Sequence, residues 1–213
     1  MRRITFVASF ALAAATPQAR AQQYDLVLSN ATIIDGTGAA RFTGAVGITG
    51  GKIAIVSRTP IPAAQAKRVI DVKGHVVAPG FIDMHAHLDP LLEMPDAESA
   101  ARQGVTLALG GPDGGGPWPF KPYLDSAEKA GLGINVAFLA GHNTIRRDVM
   151  ATANRAPTAA ELEKMKGMVA TSMKEGAFGL STGLRYVPGY YSKTDEVVAL
   201  AKVAAASGGI YTS

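Results

Sequence analysis

A chain of 213 residues, 47% hydrophobic and 18% charged, is long enough to bury a core and too apolar to remain disordered. Its formal charge of +4 includes Arg2, Arg3 and Arg20 in an acid-free leader, and the remainder carries 18 basic against 17 acidic residues, a balance that argues against a dedicated nucleic-acid surface. Cysteine is absent, which excludes disulfides, thiolate nucleophiles and thiolate metal ligands and leaves metal binding to His, Asp, Glu or a modified residue.

Residues 1–21 have the layout of an export signal. Met1-Arg2-Arg3 is a charged start, Ile4 to Ala15 is an apolar stretch, Pro17 interrupts it, and Ala19-Arg20-Ala21 has the small-x-small pattern of a cleavage site. As a helix the apolar stretch would span about 18 Å, short of the ~30 Å of a bilayer core. The reading is export to the periplasm with cleavage after Ala21, and no stable membrane span.

From Tyr24 the pattern is one of short strands. The segments DLVLSNATIIDG, AVGITGGKIAIVSR and KRVIDVKGHVVAPG alternate apolar and polar residues between Gly, Asn and Asp turn signals. Gly50-Gly51 reads as a tight hairpin, and Thr59 to Gln65, with Pro60 and Pro62, reads as a loop. Residues 22–78 are expected to form a small β-sandwich segment.

The tract Val76 to Ile82 is apolar and β-branched, predicting a buried strand that runs into PGFIDMHAHLD, residues Pro79 to Asp89. On a strand the i, i+2 spacing puts His85 and His87 on one face, about 6 to 7 Å apart, where two imidazoles can grip one metal ion. Asp83 shares that face. A helix would instead separate the two histidines by about 200°. His75, ahead of the strand, is expected at the opposite end.

Helix, glycine and strand then alternate. Asp96 caps a short helix to Gln103 before a strand at Val105 to Leu109, and a helix from Asp125 or Ser126 stops at Gly131 before a strand at Ile134 to Ala140. Thr158 and Glu161 form a capping box for a helix to Glu175, followed by a strand at Ala177 to Ser181. Thr194 or Asp195 opens the last helix, which Gly208-Gly209 ends before Ile210 to Ser213. Such alternation predicts an α/β fold with a parallel sheet over residues 79–213, and chemistry at the carboxyl ends of its strands. The residues found there are His85 and His87, Gly110 to Gly116 with Asp113, His142 with Asn143, and Ser181 to Tyr186. GHNT reads as a turn in which His142 and Asn143 bond the backbone or support a metal ligand from behind, with direct ligation by His142 as the alternative.

The bridge VIDVKGHVVAPGFIDMHAHLD resembles that of the metal-dependent amidohydrolase superfamily. GHNTIR, GAFGLSTGLRYVPG and GGIYTS are similar to its N-acyl-D-amino-acid deacylase, or D-aminoacylase, branch. The resemblance implies the N-terminal part of a TIM-like (β/α)8 barrel, roughly strands 1 to 5, beside a β-sandwich built from both chain ends. It also implies Zn2+ or another divalent metal held by His85 and His87, and a small N-acyl amino acid as substrate. With 135 residues after Ala78 against about 250 for a full barrel, roughly half a barrel is expected. The family's remaining ligands and its general base then fall past Ser213, and this segment alone is expected to be inactive.

Asp113 stands where members of that branch carry a metal-binding cysteine, so the resemblance makes it either a carboxylate ligand or a turn residue in Pro112-Asp113-Gly114. Tyr186 is implied as the donor that stabilises the oxyanion, or as a side chain packed over the barrel mouth. Arg185 would pair with a substrate carboxylate or stand in solvent. Deacylation of N-acyl-D-amino acids is the reaction the resemblance implies. Dihydroorotase-like or isoaspartyl-dipeptidase-like hydrolysis is an alternative, although AFGLST lacks the lysine that cyclic-amide hydrolases more often supply. An inactive segment serving as a folding or binding unit is another. No oligomeric state follows from the sequence.

Overall fold

The computed structural model describes residues 22–213, in two units that divide between Pro79 and Gly80. The export signal read on residues 1–21 lies outside the described residues.

The first unit is a single sheet with strand order β3-β2-β1-β4, and β5 paired to β1. Its strands are β1 (Tyr24–Ile33), β2 (Phe42–Thr49), β3 (Lys52–Ser57), β4 (Ala66–Asp71) and β5 (Val76–Val77). Gly50 and Gly51, at φ 58° and 72°, join β2 to β3 with Thr49 opposite Lys52. Two positive φ values in a two-residue loop are what a right-twisted hairpin requires. A register shift in β1 between Leu28 and Ala31 separates two small cores, one around Tyr24 and Val27 and the other around Ala31, Ile33 and Val46. The expected loop at Thr59 to Gln65 contains one 3-10 turn, Ala63–Gln65. His75 belongs to this unit, not to an end of the parallel sheet, and its Nδ1 lies 2.7 Å from the carbonyl oxygen of Val72.

The expected strand Val76 to Ile82 is divided. Val76 and Val77 pair with β1, whereas β6 (Phe81–Ala86) begins a different sheet. Pro79 has no N–H to donate and breaks the ladder between them. Nor is β6 buried. Phe81, Ile82 and Met84 are 65%, 59% and 61% exposed, because β6 is an edge strand paired only with β7, and a parallel strand is buried only when both its faces are covered.

In the second unit β6, β7 (Val105–Gly110) and β8 (Asn135–Phe138) form one parallel set, and β9 (Ala140–Gly141), β10 (Gly179–Ser181) and β11 (Ile210–Thr212) another. Only Leu139 separates β8 from β9. Its N–H reaches the Gly110 carbonyl at 3.0 Å, and the Phe178 N–H reaches Phe138 at 2.9 Å, so the strands follow one another in chain order across the break. Helices α1 (Glu98–Ala101), α2 (Phe120–Ala130), α3 (His142–Met150), α4 (Ala159–Lys174) and α5 (Thr194–Ala206) connect them. The core gathers Phe120, Phe138, Ile145, Met165, Val169, Leu180 and Leu200.

The capping box of α4 is formed as its sequence predicts. Thr158 Oγ1 accepts from the Glu161 N–H, and the Glu161 carboxylate accepts from the Thr158 N–H. The Arg155 guanidinium, and then that N–H, hold the Glu161 carboxyl down at about 2. Two helix starts differ from expectation. Ala97, not Asp96, is the N-cap of α1, and α2 begins at Phe120, ahead of Asp125. Pro122 falls in the first turn of α2, where a missing N–H costs no helical hydrogen bond.

A third difference is α3, which replaces the expected GHNT turn. Gly141 offers no capping side chain. Instead the Gly114 carbonyl accepts from the first N–H groups of the helix, Asn143 at 2.9 Å and Thr144 at 3.2 Å. A cap donated from a distant loop satisfies the same orphan groups as a local Ser or Asp.

Candidate metal centre

His85 is the penultimate residue of β6, whose last paired residue is Ala86, and His87 lies just beyond the strand. The β6–β7 register shifts between Asp83 and Ala86, an irregularity of the kind that re-aims side chains at a strand end. Asp83 does not join the histidines: its carboxylate accepts from the His85 N–H at 3.0 Å, a local turn contact. Asp113 arrives from the loop after β7. Its Oδ2 lies 3.4 Å from His85 Nε2 and 3.3 Å from His87 Nε2, and the two imidazole centroids are 5.5 Å apart.

Among the described residues these three are the group of His, Asp or Glu side chains whose ligand atoms converge, all within 4.8 Å of one another. A tetrahedral ion bound at about 2.0–2.1 Å would set its donor atoms about 3.3 Å apart, which matches both His–Asp separations. The donor set fits a divalent metal.

The loop that carries Asp113 is a tight turn closed by Gly115 N–H to Pro112 O at 3.0 Å. Asp113 and Gly114 sit at φ 55° and 76°, the left-handed pair for which Asp-Gly is a favoured sequence. Backbones crowd around this turn. A Cβ on Gly183 would strike the Asp113 carbonyl oxygen, and one on Gly141 would strike Gly114 and Gly116.

A cavity of about 500 Å³ opens beside the cluster, with His87, Asp89, Asp113, Asn143, Arg147 and Tyr186 among its walls. That volume is in the range of small-molecule sites. Asn143 is buried and donates to the carbonyls of Gly183 at 3.1 Å and Tyr186 at 3.4 Å, so it supports the wall that Tyr186 forms. Tyr186 is 58% exposed and faces open space.

Two expected site residues stand elsewhere. Arg185 is exposed and does not line the cavity, whereas Arg147 does, with one nitrogen donating to Val187 O at 3.1 Å. His142 is wholly buried, does not line the cavity, and pairs through Nε2 with Glu196 of α5 at 2.8 Å. Helix geometry places both His142 and Arg147. Starting α3 at His142 turns positions 142, 146 and 150 toward the core and leaves 143 and 147 on the cavity side. The sequence signal for Arg147 was its i, i+4 spacing from Asn143.

Comparison with known proteins decides the lineage. The sequence pattern of the amidohydrolase family matches residues 68–211. The chain belongs to the amidohydrolase family. Within that family it is similar to the N-acyl-D-glutamate deacylase of Alcaligenes xylosoxydans, 38% identical over 90% of this chain and 44% of that protein. It is also similar to the D-aminoacylase of the same organism, 33% identical over 92% of this chain and 45% of that protein. The solved N-acyl-D-glutamate deacylase of Bordetella bronchiseptica, complexed with zinc and a phosphonate inhibitor that mimics the tetrahedral intermediate, superposes with a TM-score of 0.82 at 33% identity, over 89% of this chain and 45% of that one. The amidohydrolase chain described here thus spans about half the length of the relatives it matches.

Proposed function

We propose that this amidohydrolase takes part in metal-dependent hydrolysis of the amide bond in N-acyl-D-amino acids. The observation that carries the reading is the convergence of both imidazole Nε2 atoms on one carboxylate oxygen at the carboxyl ends of parallel strands. His85, His87 and Asp113 would hold Zn2+ or another divalent cation. A cation there supplies Lewis acidity toward an amide carbonyl and makes water a competent nucleophile near neutral pH.

The side chains around it bind and orient the substrate. Among the described residues Arg147 is the one Lys or Arg in the cavity walls, which suits the carboxylate of an N-acyl amino acid. It takes the role first read for Arg185. Tyr186 offers a phenolic O–H in the same cavity as Asp113, and Asn143 fixes the backbone that carries it. A donor positioned in advance toward developing charge is the device that stabilises an acyl-transfer oxyanion. The apolar stretch and the Ala19-Arg20-Ala21 pattern support an exported, periplasmic location.

The test is binding to zinc-loaded protein, detected by saturation-transfer NMR. N-acetyl-D-glutamate and N-acetyl-D-leucine are expected to bind in preference to their L enantiomers, and Arg147→Gln is expected to weaken both. Binding of dihydroorotate instead, or equal binding of D and L forms, contradicts the reading. Protein recovered from a bacterial periplasm should begin at Gln22; a mature chain beginning at Met1 contradicts export.

A further inference from the structure

Asp113 does not hold its own position. Its carboxylate makes no hydrogen bond within the described residues apart from its approach to the two imidazoles, so its placement depends on the turn beneath it. That turn has both central residues at positive φ, a conformation costly for a residue with a Cβ and stable only where the surroundings enforce it.

One buried hydroxyl takes part in that enforcement. Ser181, the last residue of β10, is fully buried. Its Oγ donates to the Gly111 carbonyl at 2.5 Å and accepts from the Gly114 N–H at 3.1 Å. It therefore grips the chain on both sides of Asp113, from a strand 67 and 70 residues further on. The Gly114 carbonyl is held in turn by the N–H groups of Asn143 and Thr144 at the start of α3. The peptide groups before and after Gly114 are thus fixed from two elements, while the backbone of Gly183 stands against Asp113 itself.

We infer that Ser181 is a positioning residue for the metal centre: through its hydrogen bonds to Gly111 and Gly114, on either side of Asp113, it sets the orientation in which Asp113 meets His85 and His87. The inference rests on the metal reading above. Without the hydroxyl, a buried carbonyl and a buried N–H lose their partner, and the turn can relax toward conformations in which the carboxylate points away from the imidazoles. Groups that orient ligands without touching the metal typically contribute 10- to 100-fold to its affinity.

Cobalt(II) titration followed by visible absorption tests this, because the d–d bands report the ligand geometry and not only occupancy. Ser181→Ala, Ser181→Thr and the wild-type protein are compared at 20 °C, with the thermal midpoint of each measured in parallel. Ser181→Ala is expected to bind cobalt about 10- to 100-fold more weakly, with altered bands, and Ser181→Thr to recover most of the affinity by restoring a hydroxyl. If Ser181→Ala lowers only the thermal midpoint and keeps wild-type cobalt affinity and bands, Ser181 is structural and the inference fails while the metal reading stands. If the wild-type protein takes up no cobalt, the metal reading fails and the role of Ser181 with it.

Discussion

Glu196→Ala is expected to destabilise the second unit by about 3–5 kcal/mol, the cost of removing one partner of a buried ion pair. The Glu196 side chain is 2% exposed; its Oε1 lies 2.8 Å from His142 Nε2 and 3.5 Å from Arg146 Nε, both belonging to fully buried residues. Arg146 also donates to Met150 Sδ at 3.3 Å and to the Arg155 carbonyl at 2.7 Å, which satisfies part of the guanidinium but does not neutralise it. Truncation at 196 would leave that cation buried without its counter-charge. Among the described residues Glu196 Oε2, Arg146 Nε and His142 Nδ1 have no hydrogen-bond partner, so the cluster is tied by charge more than by a complete hydrogen-bond network. Urea unfolding should show a lower midpoint for Glu196→Ala at an unchanged slope. Glu196→Gln, which keeps an acceptor for His142, should fall between it and the wild type. A loss below about 1 kcal/mol, the range of exposed pairs, would mean that the cluster does not bind α3 to α5.

His87→Ala is expected to reduce zinc affinity by more than 100-fold, beyond the 10- to 100-fold typical of groups that only support a ligand. Each imidazole supplies one of the three donors that converge among the described residues, so its loss removes a direct bond to the metal. His87 is 62% exposed along its side chain, so its removal costs little packing and the folded state should persist. Asp113→Ala should match it in zinc affinity. Asp83→Ala should not, because that carboxylate is engaged with the His85 N–H. Competition with a chromophoric chelator gives the affinities. Equal zinc affinity in wild type and His87→Ala would remove this histidine from the site.

Much of this arrangement is legible in the sequence because it is coded locally. The His85-Ala86-His87 spacing, the Gly50-Gly51 hairpin and the Thr158–Glu161 box each need only a few adjacent residues. The placement of Asp113 is half local: Asp-Gly predicts the turn, but the grip of Ser181 comes from far along the chain. Helix α3 escaped because its cap is the carbonyl of Gly114 rather than a side chain at Gly141. With α3 unread, His142 and Arg146 could not be seen as an i, i+4 pair facing inward, nor Glu196 as the polar member of the buried α5 stripe completed by Leu200 and Ala204. The place of Arg147 on the cavity side also depends on α3, whereas Arg185 stands in solvent, the second of its two readings. The exposure of Phe81, Ile82 and Met84 was likewise beyond a local reading, since apolar alternation reports what a strand can bury and not what lies against it.

His85, His87 and Asp113 are proposed to share one metal ion, which anomalous diffraction at the zinc edge from crystals grown with zinc would locate. One peak bonded to His85 Nε2, His87 Nε2 and a carboxylate oxygen of Asp113, at about 2.0–2.2 Å from each, is the predicted result. A peak bound by other residues, or none within reach of Asp113, would rule out a shared ion.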